Sequence, residues 1–549
     1  MTTTSTMFLP AVSSSASTMM IVSTILVFLS VVTLVEAVSV KQAVVVGAGP
    51  AGMSTALVLA RRHGCNVTVL ESAERVDVFD PAKAYPFLIR ERGQALTRMF
   101  PDLQAALEER GVGVEGATEI ISVPADPKEV LDTKPKPITI FVPSGKNYWI
   151  RRHEFNRILL DCCDKEEKIT ILNGVECESV VPAGDIVEIS TVSGTSKDPK
   201  KFTADLLVAC DGMKSKVRES LARSPSSFVE WKNSKPEGFR VKRWKTPSSG
   251  LKFKTIQLNS DAKVPVCDEA GSMYEIPFGV QTFHTIRSIH KSPKKALSLG
   301  LLPTKSYTPT RTFNVIRYDD HDIWQIKEPE KLREWFSESF PRFDFSPPNP
   351  DSSDDSSDGP LITQEELERF VSVPGLHLPP CQYSPELYAS SPSNTGAVVL
   401  VGDAVHCFPP DLGEGVNSGL EDVVALDRAL SENERAGDVA KQYAAERGPE
   451  SKALVKMVRF GAPFQYGQFG GIRTVQRLLW TFNFFGRTLL NKVTMGLTPR
   501  PVFVEVGDAS RKYSTVMRRA DTLTAILWTL TASLLMKVTG IFPRLVSLV

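Results

Sequence analysis

Gln42-Ala43-Val44-Val45-Val46-Gly47-Ala48-Gly49-Pro50-Ala51-Gly52 is the stretch on which the fold turns. An apolar run of strand length leads straight into Gly-x-Gly-x-x-Gly. Residues 54–62 (STALVLARR) continue with helical character, and residues 66–71 (NVTVLE) return as a second strand. A lone Gly-x-Gly-x-x-Gly is weak evidence. Set between a strand and a helix inside a βαβ unit, it marks a dinucleotide-binding turn. Gly47 permits the tight turn, Gly49 lets the backbone approach a pyrophosphate, and Gly52 allows helix and strand to pack closely. Pro50 and Ala51 open the helix, whose positive end faces the phosphate charge. Glu71 ends the second strand, placed to accept hydrogen bonds from an adenosine ribose. With no Arg beside it, a 2′-phosphate finds no partner, so the turn reads as a site for FAD or NAD and not NADP.

Outward from this turn the composition is ordinary. The chain has 549 residues, 64 Lys and Arg against 63 Asp and Glu, and a net charge of +1. No global field draws it to nucleic acid, and the length predicts more than one packed core. The eight cysteines show no CxxC or ligand spacing and imply no disulfide framework. The seven histidines form no metal-like pair, so no metal is expected. The basic stretch 232–254 reads as a solvated face. Residues 19–35 (MMIVSTILVFLSVVTLV) are uncharged and largely apolar, at the short limit for a bilayer span. A retained anchor and a cleaved signal both stay open there. Residues 523–542, behind Arg518 and Arg519, predict a membrane helix. Membrane attachment by at least one end is therefore expected.

Two further motifs narrow the cofactor. Leu206-Leu207-Val208-Ala209-Cys210-Asp211-Gly212 is a strand ending in Asp-Gly, followed by Ser215 and Arg218. Residues 398–403 (VVLVGD) end in Gly402-Asp403 and continue through His406, Pro409 and Pro410 to Leu412-Gly413-Glu414-Gly415-Val416-Asn417, with a helix from Ser418. A carboxylate at a strand end suits ribityl hydroxyls. Gly413 and Gly415 before a helix present backbone N–H groups to the electron-rich edge of a reduced flavin. Alone, each piece is an ordinary β–turn–α junction; the three in this order point to FAD. His406, beside Asp403, reads as a structural residue rather than a general base. Gly111-Val112-Gly113-Val114-Glu115-Gly116 mimics the fingerprint, but it follows the polar helix end Glu108-Glu109-Arg110 and reads as a helix stop and loop.

These residues together resemble the single-component FAD-dependent aromatic hydroxylases, a family of flavoprotein monooxygenases. Residues 89–96 (IRERGQAL) resemble an Arg-Gly-x-x-Ala-Leu segment of one branch, which nominates Arg92. Arg152 with Glu154, Phe155 and Asn156 resembles a helix start whose Arg lies near FAD, and residues 502–519 resemble a segment leading to a C-terminal membrane helix. The resemblance implies that Asp403 contacts the ribityl chain, with Gly402 turning the strand end. Pro409, Gly413, Gly415, Val416 and Asn417 would border the isoalloxazine, Pro409 and Asn417 at its catalytic edge. Asp211 and Gly212 would serve the pyrophosphate and NAD(P)H use. The implied activity is NAD(P)H- and O2-dependent hydroxylation of an aromatic ring, at the mitochondrial outer membrane or endoplasmic reticulum. A small aromatic or apolar molecule and O2 are the expected partners, with no nucleic acid.

The expected fold class is mixed α/β: a Rossmann-type FAD domain interleaved with a mixed-sheet substrate domain, then C-terminal helices. Residues 1–40 form the leader and apolar segment. Residues 41–223 and 396–430 form the FAD domain, and 224–395 the substrate domain with an acidic, Pro/Ser-rich disordered loop at 345–359. Residues 431–520 are helical and 521–549 hold the membrane helix. Two departures stand out. That branch binds a substrate carboxylate with an Arg and a Tyr ahead of the Arg152 segment, yet residues 138–145 (ITIFVPSG) contain neither. Residues 410–415 read PDLGEG where the family has two aromatic or apolar residues and Gly-Gln-Gly. A flavoprotein acting on an isoprenoid lipid, a flavin oxidase or dehydrogenase, and a flavin-bound scaffold remain open.

Overall fold

The computed structural model describes residues 40–80, 85–137, 145–193, 200–223, 230–259, 262–268, 270–305, 310–347, 361–468 and 471–538. The apolar run at 19–35, the stretch at 138–144, the loop from residue 348 to 359 and everything beyond 538 lie outside them. The strand Gln42–Val46 sits in a six-stranded sheet of order Tyr388–Ser390, Ala397–Leu400, Leu206–Ala209, Gln42–Val46, Asn66–Leu70 and Ile169–Leu172. All neighbours are parallel except the first pair. Leu206–Ala209 and Ala397–Leu400 are buried at every position, which is why their sequences are unbroken apolar runs rather than alternating ones. Three helices, Pro50–Leu57, Arg152–Cys163 and Gly415–Glu432, bring buried faces to the same core.

A seven-stranded sheet carries the strands Lys252–Asn259, Thr310–Arg317, Ser298–Leu301 and Phe283–Arg287. It also recruits Glu119–Pro124 and Lys136–Pro137 from inside the segment assigned above to the FAD domain. One face, with Ile256, Leu258, Phe313 and Val315, packs on the helices Pro329–Ser339 and Gln364–Ser372 through Leu332, Phe336, Leu367 and Phe370. On the opposite face Phe253 and Ile316 cluster with Leu251, and the Phe253 ring lies 6.3 Å from that of Tyr85. The look-alike at 111–116 is corrected. Gly111 ends the helix Pro101–Arg110, but Val112–Glu115 is a strand paired with Lys146–Arg151 and not a loop. The alternation Val112, Val114 against Lys146–Arg151 was the signal, hidden by two glycines.

The helices Ala436–Met457 and Tyr513–Val538 build a third core with Phe408, Leu412 and Val502. Tyr513–Val538 covers most of the C-terminal apolar run. Among the described residues, however, no helix is long and apolar enough to cross a membrane. All eight cysteines are free.

Candidate flavin site

The fingerprint turn has the geometry its glycines predict. Gly47 has φ +96°, and a Cβ there would stand 2.5 Å from Cys210 O; a Cβ on Gly52 would stand 1.8 Å from Gly47 O. Gly49 differs: a Cβ on it meets nothing within 4 Å. It caps the helix Pro50–Leu57, and no side chain takes up the N–H groups of that first turn. Open space before a bare helix N-terminus is what a pyrophosphate requires. Glu71 accepts from Ala48 N at 2.7 Å and Ala73 N at 2.8 Å, so its carboxylate braces the turn as well as ending its strand.

The other two motifs close on this turn. Asp211 adjoins Gly47, its Cα 3.1 Å from where the Cβ would be, and Gly212 reverses the chain at φ +77°. Asp211 Oδ2 accepts from Val217 N at 3.2 Å, while Oδ1 has no hydrogen-bond partner, and burial pushes the carboxyl pKa up. Arg218 joins motifs two and three by donating to Met213 O and Ala404 O. Gly402, at φ +62°, lies against the fingerprint helix: a Cβ on it would stand 3.5 Å from Ala51 Cβ. Asp403 keeps an exposed side chain at the end of its strand, and the protein around it raises its pKa. Tyr85 shares this property. Its phenol is pushed up by burial, with Arg152 opposing and Asp403 reinforcing the shift, so the three lie within electrostatic reach of one another. Tyr85 escaped the sequence reading because it stands alone between a charged loop and a short strand.

The loop after Pro409 is built differently from expectation. Asn417 is fully buried: its Oδ1 accepts from Arg90 N at 2.8 Å, and its Nδ2 donates to Leu88 O at 2.9 Å and Gly413 O at 3.2 Å. Its side chain staples the loop to the strand Pro86–Ile89. The Arg92 guanidinium pairs with Glu421 at 2.9 Å, donates to Asp508 O and Arg511 O and stacks 4.1 Å over Tyr513, tying down the C-terminal segment. Glu414, the departure from Gly-Gln-Gly, is fully buried and accepts from Arg90 Nη1 at 2.7 Å and from Tyr513 OH at 3.1 Å. Burial pushes its pKa up against Arg90 and Arg92. Gly413 turns at φ +66°, and a Cβ on Gly415, the first residue of its helix, would meet nothing within 4 Å. Val416 packs at half burial against the main core.

His406 has no access to a substrate. It is fully buried, with Nε2 2.7 Å from Asp422 Oδ2, and Asp422 in turn accepts from Arg447 Nε at 2.6 Å and Gly402 N at 2.9 Å. Burial alone would raise the Asp422 carboxyl; Arg447 and His406 outweigh it and hold it at about 2. Among the described residues no His, Cys, Asp and Glu group could hold a metal.

The residues of this site therefore fit FAD: open backbone at Gly49 and Gly415, an orphaned Asp211 oxygen, and an exposed Asp403 at its strand end. The comparisons with known proteins agree. The FAD binding domain family model matches residues 142–234 and 387–458, and an NAD(P)-binding Rossmann-like domain matches 45–77. Kynurenine 3-monooxygenase from Drosophila willistoni is 23% identical over 506 residues, covering 89% of this chain and 92% of its own. The enzyme of the same name from Salinispora tropica is 25% identical, covering 76% and 78%. The structure of CtdE in complex with FAD and a substrate superposes with a TM-score of 0.53 at 15% identity, over 89% of this chain and all of that one. A 2-methyl-3-hydroxypyridine-5-carboxylic acid oxygenase gives 0.52 at 15% identity, over 84% and 98%. This chain thus resembles kynurenine 3-monooxygenase along most of its length, and it carries matches to the FAD binding and Rossmann-like domains that such a flavoprotein needs.

Proposed function

We propose that the protein hydroxylates an aromatic substrate of the kynurenine class with NAD(P)H and O2. The observation that carries this reading is the pair of open helix starts at Gly49 and Gly415, with Asp403, Arg152 and Tyr85 within electrostatic reach of one another. FAD held there supplies the redox chemistry, passing electrons from NAD(P)H to O2. The chain supplies binding and enclosure. Asp211 and the Gly49 turn hold the phosphate end, Asp403 the ribityl hydroxyls, and Pro409 with the N–H groups at Gly415 the ring. Tyr85, in edge contact with Phe253 at 6.3 Å, would offer apolar surface that excludes water, which protects an oxygen-transferring site from wasteful side reactions. The family's Arg–Tyr pair for a substrate carboxylate is not found in the sequence of residues 138–145, so the amino-acid end of the substrate is recognised by other groups.

The test is substrate-dependent, equimolar consumption of NAD(P)H and O2 with a hydroxylated product identified by mass. Kynurenine should stimulate NAD(P)H oxidation. If an isoprenoid lipid does so and kynurenine does not, the substrate class is wrong. We further infer attachment to a membrane, the mitochondrial outer membrane or endoplasmic reticulum, supported by the apolar runs at 19–35 and 523–542. Carbonate-resistant recovery in the membrane fraction is the expected result, and recovery in the soluble fraction overturns it.

A further inference from the structure

The helix Ile472–Val493 has the reverse of the usual polarity. Its single buried side chain is Arg487, which donates to Thr524 Oγ1 at 2.6 Å and to Ala520 O at 3.5 Å on the helix Tyr513–Val538. Phe484 packs inward beside it. On the other side Val475, Leu479, Phe482, Leu489 and Val493 follow one another at spacings of three, four and seven. Their exposures run from 54% to 75%, and such spacing lays them on one stripe. Met495 (92% exposed) and Leu497 (85%) extend the apolar surface past the helix end. A patch of this size on a folded chain marks an interaction surface.

Charge identifies the partner. Between Glu450 and Glu505 the sequence has no Asp or Glu, while Lys452, Lys456, Arg473, Arg477, Lys492 and Arg500 fall within it. An apolar stripe on a segment that carries cations and no acid of its own complements acyl chains beneath anionic headgroups. A second copy of the chain would bring the same positive charge to the interface, which opposes face-to-face pairing. A spanning helix is apolar all round; this one is apolar on one side and held to the protein by the other.

We propose that Ile472–Val493 lies in the plane of an anionic bilayer surface, with Val475, Leu479, Phe482, Leu489 and Val493 immersed. The inference rests on the membrane attachment proposed above, and gives it a surface that needs neither terminal run to span. Flotation of the full-length, FAD-loaded protein with vesicles of phosphatidylcholine, with and without phosphatidylserine, tests it. Leu479 and Phe482 are both exposed, so the double variant Leu479→Glu/Phe482→Glu should retain flavin and melting temperature. It should lose at least about tenfold in vesicle affinity. Arg477→Glu/Lys492→Glu should abolish the preference for phosphatidylserine. If Leu479→Glu/Phe482→Glu floats as wild type does, the helix is not the docking surface and the proposal fails. It also fails if wild type is a dimer without lipid that this variant converts to monomer, since a second copy then covers the face. Substrate-dependent NAD(P)H oxidation, measured on the same variant without vesicles, reports on the proposed reaction separately.

Discussion

Two β–turn–α junctions meet at the flavin site, and they are made in opposite ways. At the first, Val46 to Pro50, the steric requirements come from backbone: Gly47 and Gly52 are demanded by backbone atoms a few residues away or across one parallel strand, and the one bracing side chain, Glu71, ends the next strand. At the second, Leu400 to Gly415, the loop is positioned by side chains from far along the chain. Arg90 reaches Glu414 and Asn417, Tyr513 reaches Glu414, and Arg447 fixes Asp422, which holds Gly402. Backbone sterics give the first junction a pattern readable anywhere. Side-chain support gives the second a fold-specific network that no short pattern records.

Breaking the first junction should have the largest effect. In Gly52→Val the new Cβ would overlap Gly47 O, 1.8 Å away, and neither helix nor strand can yield. We expect a loss of more than about 4 kcal/mol and protein that purifies without flavin absorbance. Full flavin content in this variant would show that the close approach is dispensable. Breaking the second junction should cost less. Glu414→Ala leaves the Arg90 guanidinium and the Tyr513 hydroxyl without their shared partner, a change of about 3–5 kcal/mol for a buried pair. Glu414→Gln keeps hydrogen bonding and loses only charge, so about 1–2 kcal/mol is expected. Denaturant midpoints separate the two. Equal losses would mean that Arg90 does not anchor this loop.

This contrast also explains what the sequence made legible. The first βαβ unit, the Asp211 and Gly402-Asp403 strand ends and the FAD assignment all follow from glycine and carboxylate placement next to apolar runs, information carried within about ten residues. For Arg92 and Asn417, family position fixes where a residue lies, not which way its side chain points; each turns to partners more than 300 residues away. Glu414 looked like a defect in the flavin loop until Arg90 and Tyr513 were seen beside it. Tyr85 carried no pattern at all, since a lone aromatic between loop and strand has none. Strands Glu119–Pro124 and Lys136–Pro137 join a distant sheet, and pairing across 160 residues leaves no local trace.

Asp411 sharpens the comparison through pH. Only 2% exposed, it lies in the second junction with neither carboxylate oxygen hydrogen-bonded, while the nearby Ser248 spends its hydroxyl on Pro463 O. Burial pushes its pKa up to about 7, with Ser248 and Gln465 opposing. The folded state therefore holds this proton more tightly than the unfolded chain does. The stabilisation is complete below the ordinary carboxylate range near 4 and is lost as pH rises toward about 7. Asp411→Asn should leave stability unchanged near pH 4 and raise it relative to wild type at pH 8, by at most roughly 4 kcal/mol. Parallel wild-type and variant melting curves across that window would contradict the buried proton.

The smallest effect on folding, and the finest test, comes from Gly49→Ala and Gly415→Ala. Both glycines have backbone angles open to any residue, and an added Cβ at either meets no protein atom within 4 Å. Steric need within the protein does not explain them. If they are glycine because a ligand comes within van der Waals range of the backbone, apoprotein stability should change by less than about 1 kcal/mol. FAD affinity should meanwhile fall, more at Gly49, where the backbone must approach a pyrophosphate, than at Gly415, where a flat ring tolerates a small displacement. Apoprotein melting and FAD titration of both variants give the four numbers required. Equal affinity losses at the two positions would mean that both junctions meet the cofactor as closely, and that their difference lies only in how the protein supports them.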